Sequence, residues 1–339
     1  MDQTTPSPGF STSQMDYSDI VEPCNKKDVQ TFVTFFTVIL NSIIFIFGIT
    51  GNCLVLWIII IHESLESLTN VFILNLSIAD LILASCLPFF AVYHSEGWVF
   101  GAMACKVFHV LFSIGFYSGL IFLIFLTYHR YLSVVDPLSA LKTKKPLFAF
   151  LITAFAWLLS ISASIPVMIF HTQTTQSDTA RCEYEDMFHV LVSHYQQNIS
   201  LLLAFCSILF CYSNIIVTLQ HSRSQRNHKP VRLIFVIVVV YFFSWTPYNI
   251  AILLQSFHHQ HIFMECELIK KIDYAKYITE KIAISHCCLN PILYAFVGIK
   301  FRRHLKRWVK CYCPCKKEDL HVTRLSSQDH CHHDIDSVY

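Results

Sequence analysis

The chain has 339 residues, 54% of them hydrophobic and only 14% charged, with a mean hydropathy of +0.49, whereas a soluble domain carries about 25% charged residues. That composition excludes an ordinary soluble domain and points to the membrane. A formal charge of +2 gives no reason to expect nucleic acid as a partner, and eight Gly and eleven Pro leave no low-complexity bulk.

Residues 1–31 form a polar, acidic tail without the apolar stretch of a cleavable signal peptide, so the first span is expected to act as its own insertion signal. Seven apolar segments of spanning length follow: Phe32–Ile61, Leu68–Tyr93, Met103–Val135, Leu147–Phe170, Ser193–Leu219, Val231–Phe257 and Tyr274–Val297. Open strands would leave unpaired amides in lipid, so all seven read as helices and the fold as an all-α, seven-transmembrane bundle over residues 32–297. The third segment organises the rest. Cys105 stands near its outer end and Arg130 near its inner end, and the 25 helical steps of about 1.5 Å between them cover a hydrocarbon core of about 30 Å.

Seven crossings put the termini on opposite sides. With the amino end outside, the inner segments hold 17 of the 25 basic residues, as the positive-inside rule requires, although Lys26 and Lys27 before the first span dissent locally. The outer face then carries fourteen acids, Glu183, Glu185 and Glu280 among them, against eight bases, which leaves six net negative charges. Such a surface attracts a basic ligand. Cys24, Cys105, Cys182 and Cys266 also fall outside, where cysteines pair, and four cysteines allow three pairings.

Asp80 lies in mid-span, where a carboxylate must face the bundle interior and find partners; Asn52 and Asn290 are the expected ones, with an ion or proton site as the functional reading. Pro88, Pro166, Pro247 and Pro291 would kink their helices. After the last span, residues 298–310 alternate bases with Phe301, Leu305, Trp308 and Val309, the pattern of an amphipathic helix lying on membrane lipids. Cys311, Cys313 and Cys315 open the cytoplasmic tail 311–339 and fit palmitoylation better than zinc. No metal or cofactor is expected, and no nucleophile–base constellation suggests an enzyme.

Several motifs stand in one order: Gly51-Asn52, Leu76-Ser77-Ile78-Ala79-Asp80, His129-Arg130-Tyr131, Trp157, Trp245-Thr246-Pro247 and Asn290-Pro291-Ile292-Leu293-Tyr294. Together they resemble the rhodopsin-like G protein-coupled receptors. Trp98-Val99-Phe100-Gly101, Pro247-Tyr248-Asn249-Ile250 and Ser285-His286-Cys287-Cys288-Leu289 are similar to chemokine receptors, in particular the C-type branch that binds lymphotactin. The resemblance implies the bridges Cys105–Cys182 and Cys24–Cys266. It implies a basic chemokine docking on Asp16, Tyr17 and Asp19, with Tyr17 sulfated, and entering a cavity lined by Phe90, Phe112, Tyr117, Tyr248 and Glu280. On the inner side it gives Arg130, Tyr212 and Tyr294 to an inhibitory-class heterotrimeric G protein, and the phosphorylated tail to arrestin. A dimer is left open.

The chain also departs from that pattern. His129 replaces the usual acid before Arg130, and while neutral it holds its neighbour less firmly. Gly119 replaces a serine used for sodium near Asp80, and Ala204 stands where most fifth helices have proline. Two rival readings follow. One is an atypical receptor that internalises chemokine without signalling; the other is a transporter, which would show paired repeats with broken helices, and none is visible.

Overall fold

A computed structural model describes residues 24–297 apart from 143–144, 177–178, 222–227, 261 and 263–264. The tail residues Asp16, Tyr17 and Asp19, the surface helix expected at 298–310, and Cys311, Cys313 and Cys315 lie outside the described residues.

The seven long segments fold as helices α1 (Lys27–His62), α2 (Leu68–Glu96), α3 (Gly101–Val135), α5 (Pro146–Phe170), α6 (Met187–His221), α7 (His228–His259) and α8 (Cys266–Val297). A six-residue helix α4 (Pro137–Lys142) follows α3, and a hairpin of β1 (His171–Gln176) and β2 (Thr179–Tyr184) follows α5. The sequence pattern did not reveal either of these. Most helices run past the apolar segments at the end where the cysteines lie, because polar residues continue a helix once it has left the lipid; α8 starts eight residues before Tyr274. Six of the helices are long and apolar enough to cross a membrane by length and composition alone. The seventh, α8, carries Asp273, Lys276, Glu280 and Lys281 along its outer half, of which Asp273 pairs with Lys26 before α1 and Glu280 with Lys281.

The central element is α3, which packs against α2, α5, α6, α7 and β1. Phe122, Leu123 and Leu126 in its inner half are fully buried, so helix association rests on tight packing rather than on water exclusion, as in membranes generally. Trp157 of α5 donates its Nε1–H to Asn75 Oδ1 of α2 at 2.9 Å. The residues left exposed on α5 and α6, such as Leu151, Leu158, Leu202 and Phe210, form the lipid-facing surface.

Two disulfides close the outer end, Cys24–Cys266 with Cα atoms 5.5 Å apart and Cys105–Cys182 at 5.7 Å. The second ties the hairpin to the tip of α3. Trp98 packs against it almost fully buried, donating its backbone N–H to Ala180 O and its indole N–H to Gly101 O, both at 2.8 Å. Gly97 precedes it with φ +80°, and a Cβ there would stand 3.0 Å from Ala180 O, so only glycine lets the loop approach the hairpin this closely.

Prolines 88, 166, 247 and 291 all lie inside helices. By contrast, α6 runs through Ala204 as one α-helix with that residue fully buried, so the bulge that proline would bring is not formed here.

Candidate functional site

Asp80 is 2% exposed and accepts a hydrogen bond from Asn290 Nδ2 at 2.8 Å. Its other oxygen lies 3.4 Å from His286 Nε2. The expectation that Asn52 would be a second amide partner is corrected: Asn52 Nδ2 donates instead to Gly48 O at 2.9 Å and to Cys287 O at 2.8 Å. The reason lies in Pro291. Proline has no N–H, so the carbonyl four residues back, Cys287, loses its helical partner, and Asn52 supplies the missing donor. Gly51 beside it leaves room for the proline ring, since a Cβ at Gly51 would fall 2.8 Å from Pro291 Cγ.

His286 therefore takes the place expected for Asn52, and it links two regions. Its ring lies 5.0 Å from Tyr241 and 5.5 Å from Trp245. Trp245 is 2% exposed, packs against Phe116 at 4.5 Å and reaches Tyr248 at 6.1 Å. Tyr294 stands within electrostatic range of Asp80. The result is a continuous path from half-buried Tyr248 through buried Trp245 and His286 to Asp80, Asn290 and Tyr294. An ionisable residue in mid-span is rare and seeks the bundle interior, and that signal alone could have marked His286.

Above this path, Phe90 and Phe112 meet edge to face at 5.4 Å, and Phe90 also packs on His109 at 5.0 Å. Tyr117 is buried beside Phe116. Tyr248 is within electrostatic range of Glu280, Tyr184 and Tyr277. A cavity of about 630 Å³ opens between α1, α2, α8 and the hairpin, lined by Lys26, Tyr93, His94, Arg181, Glu183 and Asp273 among others. Of the residues expected around the ligand Glu183 lines it, whereas Glu185, Phe90, Phe112, Tyr117, Tyr248 and Glu280 do not.

The acids here are not bare. Lys26 Nζ lies 2.7 Å from Asp273 Oδ2, Lys281 Nζ 3.1 Å from Glu280 Oε1, and Arg181 Nη1 3.3 Å from Glu183 Oε1. Counting charge by side of the membrane treats Glu280 as an unclaimed anion, but the structure gives it an internal cation. Lys281, 2% exposed, is a site residue the sequence reasoning missed.

Beneath the hairpin, His171 stacks between His109 at 4.3 Å and its cross-strand partner Tyr184 at 3.9 Å. Burial and the neighbouring His109 push the His171 imidazole down to about 3. Among the described residues, one group of three side chains has metal-binding proximity, Cys105, His109 and Cys182. Its two sulfurs are consumed by the disulfide.

At the inner end, Arg130 and Tyr212 are in electrostatic contact, and the Arg130 Nε is buried with no hydrogen-bond partner among the described residues. His129 turns away to α2, with Nδ1 3.3 Å from Thr69 Oγ1 and its ring edge-on to Phe72 at 6.3 Å. Protonating this ring would set a second cation beside Arg130, so it would not restore the missing acid. Tyr131 stacks with Tyr128 at 5.9 Å and meets Phe210 at 6.2 Å.

Residues 51–294 match the seven-transmembrane receptor family of the rhodopsin type. The chain belongs to this family. The receptor is 43% identical to Chemokine XC receptor 1 of Homo sapiens over 306 residues, covering 90% of each chain. It is 42% identical to Chemokine XC receptor 1 of Mus musculus over 307 residues, 91% of this chain and 93% of the relative. C-C chemokine receptor type 4 of Homo sapiens is 34% identical over 299 residues, 87% of this chain and 83% of that one. The receptor is thus a multi-pass plasma-membrane protein with its amino end outside, and a receptor rather than an enzyme.

Proposed function

We propose that this receptor binds a basic chemokine of the C type at its outer cavity and activates an inhibitory-class heterotrimeric G protein, driving calcium signalling and chemotaxis. The likeness to the XC receptors along nine-tenths of the chain carries this reading. In it, Asp16, sulfated Tyr17 and Asp19 dock the chemokine body, with Glu183 and Glu185 at the rim. The ligand's amino-terminal segment enters between Phe90, Phe112, Tyr117, Tyr248 and Glu280.

The buried path supplies a physical route. A ligand pressing on Tyr248 bears on Trp245, and Trp245 touches His286, which holds Asp80 next to the Pro291 bend. Differential binding to the bundle with α7 swung outward would shift the population toward that form, freeing Arg130, Tyr212 and Tyr294 for the G protein. Arrestin on the phosphorylated tail and lipid anchors at Cys311, Cys313 and Cys315 complete the reading.

The test is a chemokine panel applied to cells bearing the receptor, read by calcium and cyclic AMP with and without a block of inhibitory-class G proteins. A C-type chemokine is expected to lower cyclic AMP in a block-sensitive way. Uptake of chemokine with no cyclic AMP response would identify a scavenging receptor instead.

A further inference from the structure

The outer half of α8 carries Asp273, Lys276, Glu280 and Lys281 within about two helical turns. Three acids around the mouth are answered by the chain's own cations: Asp273 by Lys26, Glu280 by Lys281 and Glu183 by Arg181. Lys276 is different. It is half-buried and lies within electrostatic range of all three acids. Yet among the described residues no carboxylate oxygen comes within the 4.0 Å of an ion pair with it, and its ammonium sits only loosely over the Tyr277 ring, 5.9 Å from the centroid. The spacing from Lys276 to Glu280 is the one that ordinarily pairs on a helix, but Glu280 is turned to Lys281. A partly desolvated ammonium without a close counter-ion gains from a carboxylate brought to it, because charge-assisted hydrogen bonds are the stronger class.

We propose that Lys276 receives a carboxylate carried on the ligand's amino-terminal segment, so that the mouth selects chemokines with an acidic side chain ahead of their first cysteine. The inference rests on the chemokine reading above and adds to it. With Glu280 already engaged by Lys281, this part of α8 offers a cation to an acidic side chain and no bare anion to a basic one.

The test uses a synthetic C-type chemokine that activates the unmodified receptor, and the same chemokine with every Asp and Glu before its first cysteine changed to Asn or Gln. Both are assayed on the unmodified receptor, Lys276→Ala and Lys276→Arg at matched surface levels. Lys276→Ala should weaken potency about tenfold and the amide chemokine by a similar factor, with no further loss when the two are combined. Lys276→Arg should stay near the unmodified potency. Losses that multiply, a Lys276→Ala receptor with unchanged potency, or an amide chemokine as potent as its parent on the unmodified receptor would each overturn the inference. If no chemokine activates the unmodified receptor, the chemokine reading fails and the inference goes with it.

Discussion

Replacing His129 by Asp tests how the inner end is held. Arg130 Nε is buried without a hydrogen-bond partner among the described residues, and His129 faces Thr69, so the resting receptor lacks a carboxylate clasp on its central cation. Adjacent residues on one helix can pair in this fold, as Glu280 and Lys281 do at 3.1 Å. A hydrogen bond to a charged group contributes about 1.5–3 kcal/mol. Confined to the resting form, even the lower figure shifts the equilibrium about tenfold. Ligand-free activity of His129→Asp should therefore fall about tenfold or more. The assay is ligand-free suppression of stimulated cyclic AMP as a function of receptor surface density. His129→Asn serves as the control that removes the ring without adding charge. Equal basal activity of the Asp and Asn variants at matched density would refute the reasoning.

Removing the Cys24–Cys266 bridge from both sides should cost no more than removing it from one: Cys24→Ala, Cys266→Ala and the double variant should bind chemokine equally, and losses that add would contradict a shared bond. His171 is depressed to about 3, from an unfolded value near 6.5. The folded receptor keeps it neutral, so its contribution is complete above pH 6.5 and is lost as pH falls from there toward 3, at about 1.4 kcal/mol per unit. Thermal unfolding in detergent at pH 7.5 and 5.5 should show that loss, and His171→Phe should lessen it. Gly51→Val would drive a side chain into Pro291, where a Cβ alone falls 2.8 Å from the ring. A penalty of about 1–3 kcal/mol is expected, seen as a lower midpoint of thermal unfolding than for Gly48→Ala, whose Cβ meets Ala84 at 3.3 Å.

The seven spans were legible because lipid tolerates so few backbone solutions that an apolar run of the right length nearly dictates its structure. Asp80 was legible for a related reason: its burial cost demands partners, and Asn290 is one. The choice between Asn52 and His286 for the second was not. It depends on how α1 is rotated about its axis and on a carbonyl that Pro291 leaves open, and neither is a property of local sequence. At the mouth the sequence was readable only in part. Summing charges by side gives the net sign of the outer face, but not that Lys26, Arg181 and Lys281 each sit on a particular acid, because pairing is set by tertiary contact. The hairpin escaped notice because β1, six polar residues of His, Thr and Gln, carries no apolar alternation, and the short alternation of Ala180, Cys182 and Tyr184 in β2 has no matching strand pattern beside it.

The first helix lines the outer cavity, and it also holds the last one at two heights. At the rim the bond from Cys24, just before α1, fixes the start of α8, and in mid-membrane Asn52 grips the opened turn at Cys287. A body secured at two points has one rotation left, about the line joining them. The two anchors stand at different depths, so α8 cannot tilt away from α1 without breaking one of them.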